Sequence, residues 1–461
     1  MKSFIACTLF LALRLVATDY FVDFDGGNNG SAGTSEGAAW LSLPGTRNTG
    51  DSGYSSPAAV PIAAGDTIYI RAGTTHDSGD GGKILCNSTY YNDGTEGNVI
   101  TIKKSSTWGS GDVTIDGTGI TTGGSGWGLV HLTQNGIRLE GVTIRDSANN
   151  GISQYIAGVA YGPEVVDCVF INNGTAYGAE TASDGQLKVL NSSGGFVTDC
   201  TFDGDGNLCN GMVLGESSDY VQAFTVSGCT SWDHSGSNDG GMGYKAFNSQ
   251  VTFTNCMAYD NFKGWDLGEA SGDTAIVFKV ISCTASNNTW GVNMNCSAGY
   301  SYDCDFFLIN SLLINNSQCG ADFYAEPYNL YVVHSVFDGN GSNSGSGNHR
   351  QIGITTDGSG GSTVDAYMRN CAFLNGGGEV TILNERHYQA SNDLSIDSDY
   401  NSFVIGDETY FASWSYFVAP AATFTYAEGP GGAGNNWYDW YDTDGTPPTS
   451  GSGHYQCDAN S

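Results

Sequence analysis

The chain has 461 residues, of which 67 are Gly and only 16 are Lys or Arg against 48 Asp or Glu, giving a formal net charge of −32. That composition excludes a helical bundle and points to many short strands joined by tight turns around a sizeable core. It also excludes nucleic acid as a partner, because a phosphate backbone is held by clustered basic residues that are missing here; the acidity suits a secreted protein kept soluble in salt.

Residues 1–20 read "MKSFIACTLFLALRLVATDY". Lys2, an apolar run from Phe4 to Leu13 and small residues near Ala17 have the layout of a secretory signal over residues 1–18, with Arg14 out of place and a short buried strand as the alternative. No later segment reaches the roughly 18 apolar residues needed to span a bilayer, so a soluble, extracellular chain is expected. An N-terminal cap and the first coils are assigned to residues 19–120, regular coils to 121–403, and a C-terminal capping segment to 404–461. The tail "TPPTSGSGHYQCDANS" ends without an obvious terminal element, as a fragment would.

From residue 139 onward one phrase recurs: "LEGVTIRDS", "VVDCVFINN", "VTDCTFDGD", "VSGCTSWDH", "FTNCMAYDN", "VISCTASNN", "LINSLLINN", "VVHSVFDGN" and "MRNCAFLNG". Aligned on Gly141, Cys168, Cys200, Cys229, Cys256, Cys283, Ser311, Ser335 and Cys371, it repeats at steps of 27, 32, 29, 27, 27, 28, 24 and 36 residues. Such steps fit one coil each of an all-β, right-handed parallel β-helix with loops of variable length. Stacking at about 4.8 Å per coil turns a small inward corner residue into a column. A disulfide framework is the competing reading of the 13 Cys, but a column that also accepts Ser and Gly favours buried thiols. Cys209, Cys296, Cys304 and Cys319 fall off the column and can pair in an oxidising compartment. Asn172, Asn261, Asn287, Asn315 and Asn340, after the cysteine strands, are expected in turns that need a left-handed backbone.

A second phrase follows each of these turns: "NGISQY", "DGQLKV", "NGMVLG", "DGGMGYKAF", "KGWDLG", "WGVNMN" and "CGADFY". Strand alternation places Ile152, Leu187, Met212, Leu267 and Val292 inward. It places Ser153, Lys188, Val213, Lys245, Asp266, Asn293 and Asp322 in one outward row, with Lys245 uncertain by up to three positions because "DGGMGYK" aligns on either Gly240 or Gly243. A long shallow trough of polar side chains suits an extended polymer; the plainer reading is that outward residues are polar because they meet water. Asp239 and Asp266 fall on neighbouring coils, where two carboxylates can share a cation, and Lys245 and Lys263 fall on the same two coils, where crowding makes a lysine a candidate general base.

The opening "DYFVDFDGGNNGSAGTSEGAAWLSL" and "AAGDTIYIRAGT" are similar to the start of secreted right-handed β-helix proteins, and "DGGMGYKAFNSQVTFTNCMAYDNFKGWDL" resembles the family 9 polysaccharide lyases, which include calcium-dependent pectate lyases. The likeness covers roughly residues 19–400 in architecture and only Asp239 to Leu267 in motif. The resemblance implies calcium held by Asp239 and Asp266, with Gly264 and Trp265 at the motif's centre. This chain departs from the pattern where Phe262 and Lys263 replace two acidic ligands and where Asn293 takes the place of the family's proton-abstracting lysine. Two carboxylates hold calcium weakly, since the ion takes 6 to 8 oxygens. The expectation is a weakened or lost calcium site, with the Lys263 ammonium lying between Asp239 and Asp266.

The resulting expectation is a secreted enzyme acting on an acidic polysaccharide, a lyase cleaving uronic-acid polymers by β-elimination. Lys245 would be its base, Lys263 its charge stabiliser, and Lys188, Trp265, Asp266, Asn293 and Asp322 its sugar contacts. The alternatives are a non-catalytic β-helix adhesin or carbohydrate-binding protein, and a glycoside hydrolase using Asp266 with Asp239 or Asp322. Aromatic residues in "NNWYDWYDTDG" at 435–445 either stack on sugars or cover the end of the solenoid.

Overall fold

The computed structural model describes side chains from residue 17 to 374, except for residues 49–52, 58–60, 123–126, 157–160, 176–183, 217–218, 237–239, 269–275, 297–303, 325–328, 342–349 and 355–363. It describes the strands beyond residue 374 by backbone alone. The expected leader, Asp239 and the aromatic run at 435–445 lie outside the described residues.

Every long-range strand pairing but the last is parallel and in register, and the strands stack as a three-faced, right-handed parallel β-helix. One face runs from strand Asp19–Val22 to strand Asp393–Asp399 and a second from Thr75–His76 to Ser402–Phe403. The third, which carries the outward row, runs from Ile84–Cys86 to Tyr410–Tyr416 and ends on an antiparallel strand, Ser452–Tyr455. No helix among the described residues is long and apolar enough to cross a membrane.

Alternation fills the interior. Ile152, Leu187, Met212, Tyr244, Trp265, Val292, Ala321 and Ile352 pair rung to rung in one fully buried column. At the corner between the first two faces stand Cys168, Cys200, Cys229, Cys256, Cys283, Ser311, Ser335 and Cys371, all buried. The first five are thiols, as the repeat implied. Each sulfur in this column bonds the carbonyl two residues back, as Cys168 Sγ does to Val166 O at 3.3 Å and Cys283 Sγ to Ile281 O at 3.3 Å.

Two expectations about this frame are corrected. Gly141 is not in the cysteine column: Thr143 pairs with Val169, so Val142 stands above Cys168 and Gly141 above Asp167. Gly141 and Asp167 both have left-handed backbones (φ 71° and 50°), which is what glycine at this corner permits. The turn after each cysteine strand also uses two successive positions where one was expected. Asn172, Asn287 and Asn315 are left-handed (φ 50°, 56° and 53°), but on the rungs of Asn261 and Asn340 that conformation falls to Asp260 and Gly339. Asn261 and Asn340 instead join Asn288 and Asn316 in a buried ladder, linked by side-chain amide bonds of 3.2 Å from Asn261 to Asn288, 3.0 Å from Asn288 to Asn316 and 2.8 Å from Asn316 to Asn340.

Candidate functional site

Strands Met242–Phe247, Lys263–Glu269, Trp290–Cys296, Cys319–Ala325 and Arg350–Thr356 lie side by side on the third face. Tyr244 pairs with Trp265, so Gly243 is the glycine that aligns with Gly264, and Lys245 stands directly above Asp266. The row expected from alternation is continuous: Ser153, Lys188, Val213, Lys245, Asp266, Asn293 and Asp322 are successive register partners. It extends upward to His131 and downward to Gly353.

A second column, three residues upstream on each strand, holds Met242, Lys263, Trp290, Cys319 and Arg350. The two columns interlock through charge. Lys263 Nζ donates to Asp266 Oδ1 at 2.8 Å, and Asn293 Nδ2 donates to the same oxygen at 2.7 Å from the rung below. Arg350 reaches back one rung to pair with Asp322 at 2.6 Å, with its guanidinium 5.6 Å from the Trp290 ring. Burial opposes the guanidinium charge, but the Asp322 carboxylate and Cys319 outweigh it and raise Arg350 above its usual pKa. Burial pushes the Cys319 thiol up to about 12, so it stays neutral beside this pair. Gly353, in the row below Asp322, leaves the space that the Asp322 and Arg350 side chains share; a Cβ there would meet both.

The expected open trough is not what these rungs form. Lys188, Lys245, Asp266 and Asp322 are 5%, 2%, 5% and 9% exposed. Solvent reaches the columns through Lys263, Trp290 and Asn293, which are partly exposed. Trp265, expected to contact sugar, is fully buried and stacks on Tyr244 with centroids 5.1 Å apart. The same alternation that turns Asp266 outward turns its neighbour inward. Lys188 is tied to Glu216 at 2.6 Å, and Lys245 Nζ sits 5.1 Å from the Phe247 ring.

Trp290 and Arg350 were missed by the sequence reading. Their signal is positional, since both fall in the column of Lys263, but the loop before Arg350 hides the phrase that would have aligned it. A further group was missed on the upper rungs of the same face. His131 Nδ1 lies 2.6 Å from Ser153 Oγ, Lys83 Nζ is 4.1 Å from the Trp127 ring, and Trp127 stacks on His131 at 4.3 Å. Burial, with Lys83 nearby, pulls His131 down to about 4, so its imidazole is neutral at physiological pH. Trp127 and Tyr155, 38% and 49% exposed, stand on this face.

Of the two carboxylates expected at calcium, only Asp266 is among the described residues. Both contacts to Asp266 fall on one oxygen and come from an ammonium and an amide, and among the described residues no three Asp, Glu, His or Cys side chains converge.

No protein-family model matches the sequence, and no curated protein sequence matches it. Among solved structures, pectate lyase Pel9A is similar at 15% identity over 97% of this chain and 91% of that one, with a TM-score of 0.42. A rhamnogalacturonan lyase is similar at 11% over 96% and 97%, with a TM-score of 0.39. A GH136 lacto-N-biosidase from Eubacterium ramulus is similar at 11% over 89% and 68%, with a TM-score of 0.36.

Proposed function

We propose that the protein is a secreted enzyme that cleaves an acidic polysaccharide, a uronic-acid polymer, by β-elimination at the rungs from Lys245 to Arg350. The carrying observation is that two of the chain's 16 basic residues, Lys263 and Arg350, pair with two outward carboxylates, Asp266 and Asp322, and a third, Lys245, is the register partner of Asp266 one rung above. Among these groups Lys263 is a partly exposed cation in a chain of net charge −32, and a uronate carboxylate is the group such a cation would hold.

Elimination removes the proton α to that carboxylate, so the negative charge that develops needs a cation close by. Lys263, held by Asp266 and partly exposed, supplies that charge. Lys245, one rung above, takes the proton in its unprotonated form. The freed electron pair becomes the new carbon–carbon double bond, the glycosidic carbon–oxygen bond breaks, and the departing oxygen takes a proton from water. Trp290 offers a ring to the sugar, and Asn293 and Asp322 orient its hydroxyls. Because an ammonium occupies Asp266, the reaction proceeds without calcium, and a chelator leaves the rate unchanged.

Burial of Lys245 favours a second reading, a non-catalytic carbohydrate-binding β-helix in which the charged rungs only fix the register. The test is to incubate the protein with polygalacturonate, alginate and neutral glycans and follow ultraviolet absorbance from unsaturated ends alongside reducing sugar. Both signals on an acidic polymer support the lyase. Reducing sugar alone indicates a hydrolase using Asp266 and Asp322, two rungs apart, and neither signal leaves binding.

A further inference from the structure

Two cysteines outside the stacked column approach each other where the strand carrying Asn293 ends. Cys296 closes strand Trp290–Cys296 on the third face, and Cys304 opens strand Cys304–Ile309 on the first. Their sulfurs are 3.0 Å apart, both residues are 1% exposed, and eight positions separate them in the chain. We propose that Cys296 and Cys304 form a disulfide, which closes the segment between them and pins the end of the strand that carries Trp290 and Asn293.

Geometry separates this pair from the other thiols. In the cysteine column, in-register parallel strands hold equivalent side chains about 4.8 Å apart and pointing the same way, beyond the roughly 3.5–4.5 Å between the Cβ atoms of a disulfide. Bridging two rungs there would require the backbone to move. Cys296 and Cys304 meet across a corner from strands on different faces, and their sulfurs need only about 1 Å of further approach to reach bonding distance. Cys319 lies at the other end of the neighbouring strand, in register with Trp290, and its thiol is turned onto Ala321 O at 2.9 Å.

The oxidant is a disulfide, either a small molecule such as glutathione disulfide or a protein disulfide. One cysteine thiolate attacks it, forming a mixed disulfide and releasing one thiol. The second cysteine then attacks the protein sulfur of that mixed disulfide and releases the second thiol. Two protein thiols are thereby oxidised and one external disulfide is reduced to two thiols. With both sulfurs buried, the bond forms as this corner closes during folding and is afterwards shielded from reductant.

The experiment refolds the full chain in mixed reduced and oxidised glutathione, alkylates remaining thiols with N-ethylmaleimide under denaturing conditions, and digests with chymotrypsin. That protease cuts after Tyr300 and Tyr302, between the two cysteines. The expected result is one peptide pair, joined through Cys296 and Cys304, that separates on reduction, while Cys168, Cys200, Cys229, Cys256 and Cys283 are all alkylated. In Cys304→Ser, Cys296 is expected to be alkylated as well, with no new bridge. Alkylation of both Cys296 and Cys304 in the wild-type chain, or a bridge from either to another cysteine, would overturn the proposal. Neither outcome depends on the reaction proposed above.

Discussion

The asparagine ladder and the charged row are built on the same rungs, one strand apart in the chain, and they use register in opposite ways. In the ladder one residue type repeats: Asn261, Asn288 and Asn316 each donate an amide to the asparagine below, and Asn340, the last acceptor, donates to Gln351. An amide carries both donor and acceptor, so identical copies satisfy one another, and repetition is itself the stabilising device. In the row no residue repeats between neighbours. Lys245, Asp266, Asn293 and Asp322 succeed one another, and stability comes from partners in a second column, Lys263 and Arg350. Like charges stacked at rung spacing would repel, so a charged row must alternate or borrow counter-charges. That departure from repetition separates this face from the corners, where like residues stack, and is the reason the reaction is proposed here.

The largest expected effect separates the two regions by activity. Lys245→Met keeps the buried aliphatic stem but removes the amine, and the rate of formation of unsaturated ends should fall about 10²- to 10⁴-fold with little change in melting temperature. Steady-state rates with parallel thermal melts check this. Asp322→Ala is expected to act on folding, because it strands the buried Arg350 charge at a cost of about 3–5 kcal/mol; Asp322→Ala combined with Arg350→Met should recover most of that loss in denaturant titrations.

Acid should weaken both regions. His234 interrupts the ladder above Asn261, and burial pulls it down to about 4, while His131 extends the row and is likewise near 4. Both folded-state values lie below the unfolded value near 6.5, so below that pH the unfolded chain binds more protons. The stability each buried neutral imidazole contributes is complete above about pH 6.5 and is lost as pH falls towards 4, by about 3 kcal/mol per histidine. His234→Gln should flatten the stability–pH curve in that window, and an unchanged slope would refute the assignment.

Smaller again, Asn288→Ala should cost about 1–3 kcal/mol for each polar group it orphans, Ala258 O among them, and leave catalytic constants intact. Trp127→Ala, well above the charged rungs, should weaken binding of long polymer by roughly 2- to 10-fold without affecting short oligomers, as expected for one aromatic contact. Affinity electrophoresis against polymer and oligomer distinguishes the two.

Regular features were the legible ones. The cysteine column and the outward row follow from a small corner residue recurring at coil length and from strand alternation, and both survive loops of different lengths. Gly141 was placed one position out because the first phrase has no cysteine to anchor it, and a left-handed corner accepts Gly as readily as Asp. Asn261 and Asn340 were merged with the left-handed residues because two adjacent turn positions favour the same side chain for different reasons, one through backbone conformation and the other through amide stacking. Trp265 was assigned to sugar by a motif when its own alternation placed it in the core. Arg350 acts through a contact that reaches back a full rung, which strand periodicity does not encode, and alternation turns Lys245 and Asp266 outward without specifying that they are buried.

The most direct test of the central claim is the elimination assay on polygalacturonate and alginate with wild-type protein and Lys245→Met side by side. A rise in ultraviolet absorbance from the wild type on one of these acidic polymers, largely lost in the variant at equal thermal stability, is the predicted result. Equal rates from both proteins, or no absorbance change from the wild type on either polymer, would contradict it.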